Sequence, residues 1–139
     1  MDATVHKETI RLTSLSHGGG CGCKIAPAAL TEILAKLPRG LMDPALLVGT
    51  ETSDDAAVYK LNDQQAIVAT TDFFMPIVDD PHDFGRIAAT NALSDIYAMG
   101  GEPRTALSIL AFPTEELPGE IMYQMLVGAM AVFSEAGVA

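Results

Sequence analysis

The stretch DPHDFGRIAATNALSDIYAMGG, residues 80–101, decides the fold of this chain. It predicts one amphipathic helix, because it begins with an acidic residue and a proline and ends at a Gly-Gly pair. Its apolar side chains recur at helical spacing, at Phe84, Ile87, Ala88, Leu93, Ile96 and Tyr97. Asn91 and Asp95 are four residues apart and therefore share a face, where an otherwise apolar helix needs a polar partner for them.

Two strands and a shorter helix are expected before this stretch. The segments AAVYKL (56–61) and QAIVATTDFF (65–74) are rich in β-branched and aromatic residues, and the turn residues Asn62 and Asp63 join them. A first helix is predicted from Pro27 to about residue 37, because its leucines and isoleucine follow helical spacing after an N-terminal proline.

A strand and a helix are expected after it. RTALSILAFP (104–113) predicts a buried strand, and LPGEIMYQMLVGAMAVFSEAG (117–137) predicts a second long amphipathic helix. The order helix, two strands, helix, strand, helix favours the α+β class, with helices on one face of a mixed or mostly antiparallel sheet. Because a further strand is expected after the last helix, the chain is interpreted as truncated.

The composition indicates one folded domain and restricts its partners. Of the 139 residues, 49% are hydrophobic and 19% are charged, which is typical of globular chains and not of disordered ones. The formal charge of −10 argues against nucleic acid and anionic membranes, although a metal ion could mediate phosphate binding. No apolar run of about 20 residues and no apolar leader is present, so we expect a cytoplasmic protein with reduced cysteines and no membrane partner.

Acidic residues surround the predicted hairpin and the central helix. Asp54 and Asp55 precede the first strand, and Asp72 lies near the end of the second. If the hairpin and the helix pack together, Asp55, Asp72 and Asp95 converge and need a hard cation such as Mg²⁺ among them. In the alternative interpretation, Asp54 caps a turn, Asp72 accepts from a loop amide, and Asp95 faces solvent.

The Gly-rich segment HGGGCGCKIAP, residues 17–27, contains both cysteines and Lys24. Its backbone amides could approach an anion and Lys24 could pair with phosphate oxygens, although the spacing is not that of a Walker A loop. The lysine would favour the thiolate form of Cys21, which would make it a nucleophile or redox group. Cys21 and Cys23 could instead bind a soft metal with His17, or be incidental to a flexible loop.

Four segments together closely resemble one family: SHGGGCGCKIAP, LVGTETSDDAAVY, ATTDFFMPIVDDPHDFGRIAATNALSDIYAMGGEP and ALSILAFP. From about Ile10 to its end, the chain is similar to the N-terminal part of the selenophosphate synthetases, also called selenide, water dikinases. The resemblance implies an α+β domain like the N-terminal domain of aminoimidazole ribonucleotide synthetase, and a homodimer formed through the sheet. It also implies synthesis of selenophosphate from selenide, ATP and water, with release of AMP and phosphate, in a reaction that requires Mg²⁺ and generally K⁺.

The resemblance divides the chain into two regions. Residues 1–24 correspond to a flexible Gly-rich N-terminal arm, and residues 25–139 correspond to the ATP-binding α+β domain. On the arm, Cys21 is implied as the catalytic thiol and Lys24 as the essential lysine that contacts the phosphates. Cys23 would be dispensable.

The same resemblance implies a nucleotide site and a metal site. Asp55 and Asp95 would be Mg²⁺ ligands, and Asn91 would lie in the same shell. The residues implied for ATP binding are Lys24, Thr52, Ser53, Asp54, Asp72 and Asp95.

Two other functions are compatible with the residues. A related ATP-dependent synthetase or kinase of the same fold would share the aspartates but would not need the thiol arm. A non-enzymatic thiol or selenium carrier would use the Cys-x-Cys pair without ATP and would leave the aspartates unexplained. Members of the family are much longer than this chain and carry a C-terminal domain, so we expect an N-terminal fragment that does not complete the reaction alone.

Overall fold

The computed structural model of the chain describes residues 10–16, 26–36, 43–50, 52 and 54–139. These residues form a 3₁₀ helix at Leu12–Leu15, three α-helices and one three-stranded sheet. The helices are α1 (Pro27–Ala35), α2 (Pro81–Ala98) and α3 (Gly119–Ala136), and the strands are β1 (Leu46–Val48), β2 (Ala57–Asn62) and β3 (Gln65–Ala69). The predicted α+β class is confirmed. None of the helices described combines the length and the apolar character that a membrane crossing requires.

Helix α2 forms where the sequence predicts it. Asp80 is its N-cap, and the side chain accepts a hydrogen bond of 2.8 Å from the amide of Asp83. Pro81 follows at the first position, where its missing N–H costs nothing. The helix ends at Ala98, and Gly100 then adopts a φ of 70°, a left-handed conformation that glycine accommodates without strain.

Two glycines allow α2 and α3 to approach until their backbones touch. A Cβ atom on Gly85 of α2 would overlap the backbone carbonyl of Met125 in α3. Reciprocally, a Cβ atom on Gly128 of α3 would overlap the carbonyl of His82 in α2. Both glycines are buried, and this crossing therefore fixes α2 relative to α3 at two points.

We expect Gly85→Ala and Gly128→Ala each to lower the free energy of unfolding by about 2 kcal/mol or more, because the added methyl group meets backbone that cannot repack. The loss should occur although alanine favours helix over glycine by about 1 kcal/mol. Urea denaturation followed by circular dichroism measures both values. Gly119→Ala is the matched control, since nothing lies within 4 Å of its added Cβ. Equal stabilities for all three variants would show that the helices are not in backbone contact.

Strands β2 and β3 form the predicted hairpin. They pair antiparallel, from Ala57 opposite Ala69 at one end to Asn62 opposite Gln65 beside the turn. The prediction that the second strand extends to residue 74 is wrong, because residues 70–74 have no ladder partner among the residues described. The segment that precedes β2 and the segment that follows β3 therefore lie side by side at the end opposite the turn.

The third strand, β1, was not predicted, because three residues are too few to show an alternating pattern. It pairs antiparallel with the outer edge of β2. Asp43 supports this edge: its carboxylate accepts hydrogen bonds from the Ala45 amide and the Tyr59 hydroxyl, each of 2.9 Å. The Ala45 amide, followed by the Tyr59 hydroxyl, lowers the pKa of Asp43, and the hydrogen bond to Asp43 raises the pKa of Tyr59.

The buried strand expected at residues 104–113 is not present. No residue of this segment forms a strand with any part of the chain that the structure describes, and Leu107 is 93% exposed. At its beginning, the Ala139 amide donates to the Arg104 carbonyl at 3.1 Å, and the Ala106 amide donates to the Ala139 carbonyl at 2.8 Å. At its end, the Pro113 carbonyl accepts from the amides of Glu116 and Leu117, each at 3.0 Å, as in a turn. An apolar, β-branched composition favours a strand, but a strand also needs a neighbour along its whole length.

The part of the N-terminal arm that the structure describes, residues 10–16, lies against the rest of the domain. We call it the arm root. Its Leu12 side chain is 1% exposed. Asp79, in the segment before α2, accepts hydrogen bonds from the Thr13 hydroxyl at 2.7 Å, the Thr13 amide at 2.9 Å and the Arg11 Nε at 3.3 Å. These contacts lower the pKa of Asp79, with the Thr13 hydroxyl as the largest cause.

Candidate functional site

Three of the predicted site residues lie outside the residues that the structure describes. They are Cys21, Lys24 and Ser53. The thiol, metal-binding and incidental interpretations of the Gly-rich segment therefore stay predictions. The structure describes the remaining predicted residues, all of which lie around the open end of the β2–β3 hairpin or on α2.

The hairpin and α2 are joined at Thr70, directly after β3. Its hydroxyl oxygen lies 2.9 Å from Oδ2 of Asp95 and 3.1 Å from the backbone carbonyl oxygen of Asp55. The hydroxyl has one proton to donate at a time, and the charged carboxylate is the stronger acceptor. Thr70 thus holds the Asp95 side chain and the Asp55 backbone on either side of itself. Sequence analysis missed Thr70, because a threonine at the end of a strand has no distinctive motif.

A second polar contact lies one helical turn earlier on α2. Nδ2 of Asn91 donates a hydrogen bond of 2.6 Å to Oδ2 of Asp72, and both residues are half-buried. Asn91 and Asp95 therefore both face the hairpin end, as their spacing of four residues predicts. The sequence predicts polar partners for Asn91 and Asp95, and the structure shows that they are Asp72 and Thr70.

The other two described residues from the predicted nucleotide site are exposed. Thr52 makes one weak contact, in which its hydroxyl lies 3.5 Å from the carbonyl oxygen of Gly49. Asp54 is exposed and forms no hydrogen bond with any residue that the structure describes. Their side chains are therefore accessible to a ligand, whereas Asp72 and Asp95 are half-buried and oriented by protein donors.

The donors at the hairpin end suit a hard cation. Asp55, Asp72 and Asp95 offer carboxylate oxygens, and no described lysine or arginine forms an ion pair with Asp55 or Asp95. The three carboxylates do not bring ligand atoms within 4.8 Å of one another, so they do not form a closed cage. An open arrangement fits Mg²⁺, which keeps several waters and shares one or two carboxylates with substrate phosphates.

A tighter acidic group lies at the opposite end of α2. Asp80, His82 and Asp83 bring ligand atoms within 4.8 Å of one another. The positive end of the helix dipole disfavours a cation there, and Asp80 already accepts from the Asp83 amide. Since 15 residues separate Asp80 from Asp95, the two groups are roughly 22 Å apart along the helix. This group is a helix cap, separate from the hairpin site.

An open groove follows α2 between these two ends. Its lining includes Val78, which precedes Asp79 in the sequence, and Asn91, which binds Asp72. We call it the α2 groove. Its lining residues are Val78, Asp83, Arg86, Ile87, Thr90, Asn91 and Ser94.

The contact between Asn91 and Asp72 can be tested by an isosteric change. We expect Asn91→Asp to lower the free energy of unfolding at pH 7 by about 2 kcal/mol, because two carboxylates replace a donor and an acceptor. Millimolar Mg²⁺ should restore part of the loss if a cation can enter between them. Urea denaturation with and without Mg²⁺ measures both effects.

Asn62→Asp makes the same change at an exposed residue of the hairpin turn and serves as the control. It should change stability by less than about 0.5 kcal/mol. If Asn91→Asp were equally mild, the Asn91–Asp72 contact would be absent in solution.

Comparison with known proteins shows the family to which the chain belongs. The family model described as AIR synthase related protein, N-terminal domain, matches residues 53–139. The chain belongs to this family. The match includes the open end of the hairpin and the whole of α2 and α3, and therefore the contacts of Thr70 with Asp95 and of Asn91 with Asp72.

Within this family, the chain is similar to curated proteins named selenide, water dikinase. The protein from Pseudomonas straminea is 68% identical over 132 residues, which cover 94% of this chain and 37% of that protein. The protein from Burkholderia ambifaria is 67% identical over 128 residues, with coverages of 92% and 36%. The protein from Dechloromonas aromatica is 65% identical over 132 residues, with coverages of 95% and 38%.

These similarities confirm the resemblance predicted from the sequence. They also confirm the predicted likeness to the N-terminal domain of the aminoimidazole ribonucleotide synthetase type. The chain spans a little over a third of the length of the curated relatives it matches.

Proposed function

We propose that this chain is the ATP-binding part of a selenide, water dikinase, an enzyme that makes selenophosphate from selenide, ATP and water and releases AMP and phosphate. The observation that supports the proposal most directly is the contact between the hairpin end and α2. There Thr70 forms a hydrogen bond with Asp95, and Asn91 donates one to Asp72. The names of relatives that are 65–68% identical to the chain support the choice of substrate.

In the proposed site, Asp55 and Asp95 would hold Mg²⁺. When bound, the ion would supply the positive charge that offsets the repulsion of the ATP phosphates by these carboxylates. The Thr70 hydroxyl orients the Asp95 carboxylate, and the Asn91 amide orients Asp72. Potassium is the further cation that we expect to support activity.

The N-terminal arm, residues 1–24, supplies the remaining groups in this proposal. Lys24 pairs with the phosphates, and Cys21 as a thiolate holds or positions the selenium substrate. The domain formed by residues 25–139 supplies the other contacts to ATP. Those contacts are assigned to Thr52, Ser53, Asp54, Asp72 and Asp95. The need for ATP and for a reduced thiol places the protein in the cytoplasm.

Calorimetric titration of ATP in the presence of Mg²⁺ tests the nucleotide site. We expect saturable, Mg²⁺-dependent heat for the unmodified chain and none for Asp55→Ala or Asp95→Asn. Thr70→Val should weaken the affinity on the order of tenfold, because it removes a donor that orients a metal ligand while nearly conserving volume.

Asp63→Ala is the matched control for this titration. Asp63 is an exposed carboxylate in the hairpin turn, at the other end of the hairpin, and its partner is Lys60 at 2.6 Å. The variant should bind ATP as the parent does. Equal binding by Asp95→Asn and Asp63→Ala would refute the proposed metal site, and binding that does not depend on Mg²⁺ would refute the role of the ion.

We further propose that the chain forms a homodimer through its sheet. One face of the sheet carries an apolar row across all three strands, because Leu46 pairs with Tyr59 and Tyr59 pairs with Ile67. All three side chains are exposed, and so is Leu61 on the same face of β2. Continuous apolar surface of this kind commonly marks a protein interface. A second copy of the chain is the occupant that the resemblance to the family implies.

Ile67→Glu should convert the dimer to a monomer, because it places a charge in the apolar row, at its β3 end. Sedimentation equilibrium measures the change, and the dissociation constant should rise at least a hundredfold. Ala66→Glu adds the same charge to the other face of β3, opposite Lys60, and should leave the dimer intact. A monomeric parent, or equal effects of the two variants, would contradict this interface.

A further inference from the structure

The arm root is held by hydrogen bonds to Asp79 and by burial of Leu12, and neither contact is part of the proposed chemistry or of the sheet. Asp79 uses both carboxylate oxygens: Oδ1 receives the amide and hydroxyl of Thr13, and Oδ2 receives Nε of Arg11. The neighbouring Leu12 side chain is almost fully buried. Residues 11–13 are therefore held both by the burial of Leu12 and by the hydrogen bonds of Arg11 and Thr13 to Asp79.

These contacts join two parts of the chain that are far apart in sequence, since 66 residues separate Thr13 from Asp79. Asp79 immediately precedes Asp80, the N-cap of α2. The arm root is thus attached to the rigid start of the same helix that carries Asn91 and Asp95. The α2 groove is lined by Val78, next to Asp79 in the sequence, and by Asn91 of the hairpin site.

The attachment also limits how far the residues after the root can reach. Cys21 follows Ser16 by five residues, so it lies within about 18 Å of the Cα atom of Ser16 in any conformation. Along α2, the 11 residues from Asp80 to Asn91 span about 17 Å. A root held at the start of α2 therefore sets a limit of about 18 Å from Ser16, which is comparable with the roughly 17 Å between Asp80 and Asn91, whereas release of the root would remove this limit.

We propose that Asp79 is a positioning residue, whose carboxylate tethers the arm root to the start of α2 and so restricts the space available to Cys21 and Lys24. The tether raises the effective concentration of these two groups near the hairpin site. This benefit rests on the proposed function, but the tether itself can be measured without any ligand.

The tether is tested by distance measurements between two nitroxide labels. One label is placed on Cys21 in a Cys23→Ser background, and the other on Glu135→Cys, an exposed position on α3. We expect the distance distribution to be at least twice as broad in Asp79→Ala as in the parent. Asp63→Ala is the control, because Asp63, like Asp79, is a carboxylate paired with one cation. It should leave the breadth unchanged.

Two further measurements separate tethering from general loss of structure. Thr13→Val changes no residue outside the arm root and removes only the hydrogen bond of 2.7 Å from the Thr13 hydroxyl to Asp79. It should therefore broaden the distance distribution less than Asp79→Ala does. Amide exchange at Thr13 should accelerate at least tenfold in Asp79→Ala, while amides in α2 and α3 exchange as in the parent. An unchanged distance distribution in Asp79→Ala and Thr13→Val would overturn the proposal, as would unchanged exchange at Thr13.

Addition of Mg²⁺ and ATP to the same labelled proteins tests the proposed function separately. If the function holds, the ligand narrows the Cys21 distribution in the parent, and it does so at a higher ATP concentration in Asp79→Ala. If Asp79→Ala broadens the distance distribution but ATP changes the distribution of neither protein, the tether is supported and the proposed function is contradicted. If ATP narrows the distribution but the distributions of Asp79→Ala and the parent are equally broad without ATP, the proposed function is supported and the tether is contradicted.

Discussion

The backbone contact between α2 and α3 is the constraint on which the rest of the structure depends. Gly85 and Gly128 let each helix press against the backbone of the other, and any side chain at either position would separate them. A helix held at two backbone points has little freedom to rotate about its own axis. The directions of Asn91 and Asp95 toward the hairpin follow from this fixed rotation, because they lie on the same helix, roughly two and three turns after Gly85.

The candidate site lies where the β2–β3 hairpin meets helix α2. The hairpin is held by hydrogen bonds between neighbouring strands, and α2 is held by packing against α3. The hairpin forms through pairing of adjacent strands, and its open end brings Asp55 and Thr70 together. Helix α2 then adds Asp95 and Asn91 from one side. The half-buried Asp95 carboxylate has the neutral Thr70 hydroxyl beside it, and no described lysine or arginine forms an ion pair with it. Such a carboxylate remains available to a cation, and the net charge of −10 means that a phosphate ligand needs one.

The arm root shows how a position far from the chemistry can influence it. Leu12 is buried and Thr13 binds Asp79 at the start of α2, and the proposed reacting groups, Cys21 and Lys24, follow 8 and 11 residues after Thr13. The helix therefore has two roles in our proposal, since its start holds the arm and its second half completes the acidic site. A rigid helix keeps the distance between these two ends constant, which a loop of the same length would not do.

The sequence by itself determined the α+β class, α1, α2, α3, the hairpin and the shared face of Asn91 and Asp95, because caps, turn residues and hydrophobic periodicity act over a few neighbouring residues. Its long unbroken resemblance also determined the family. Only the tertiary structure decided which side chains meet across the chain. The bonds of Thr70 to Asp95, of Asn91 to Asp72 and of Thr13 to Asp79 join residues 19 to 66 positions apart, and no local pattern encodes such contacts. For the same reason, the apolar segment 104–113 was wrongly predicted as a buried strand: burial and pairing are decided by neighbours and not by composition.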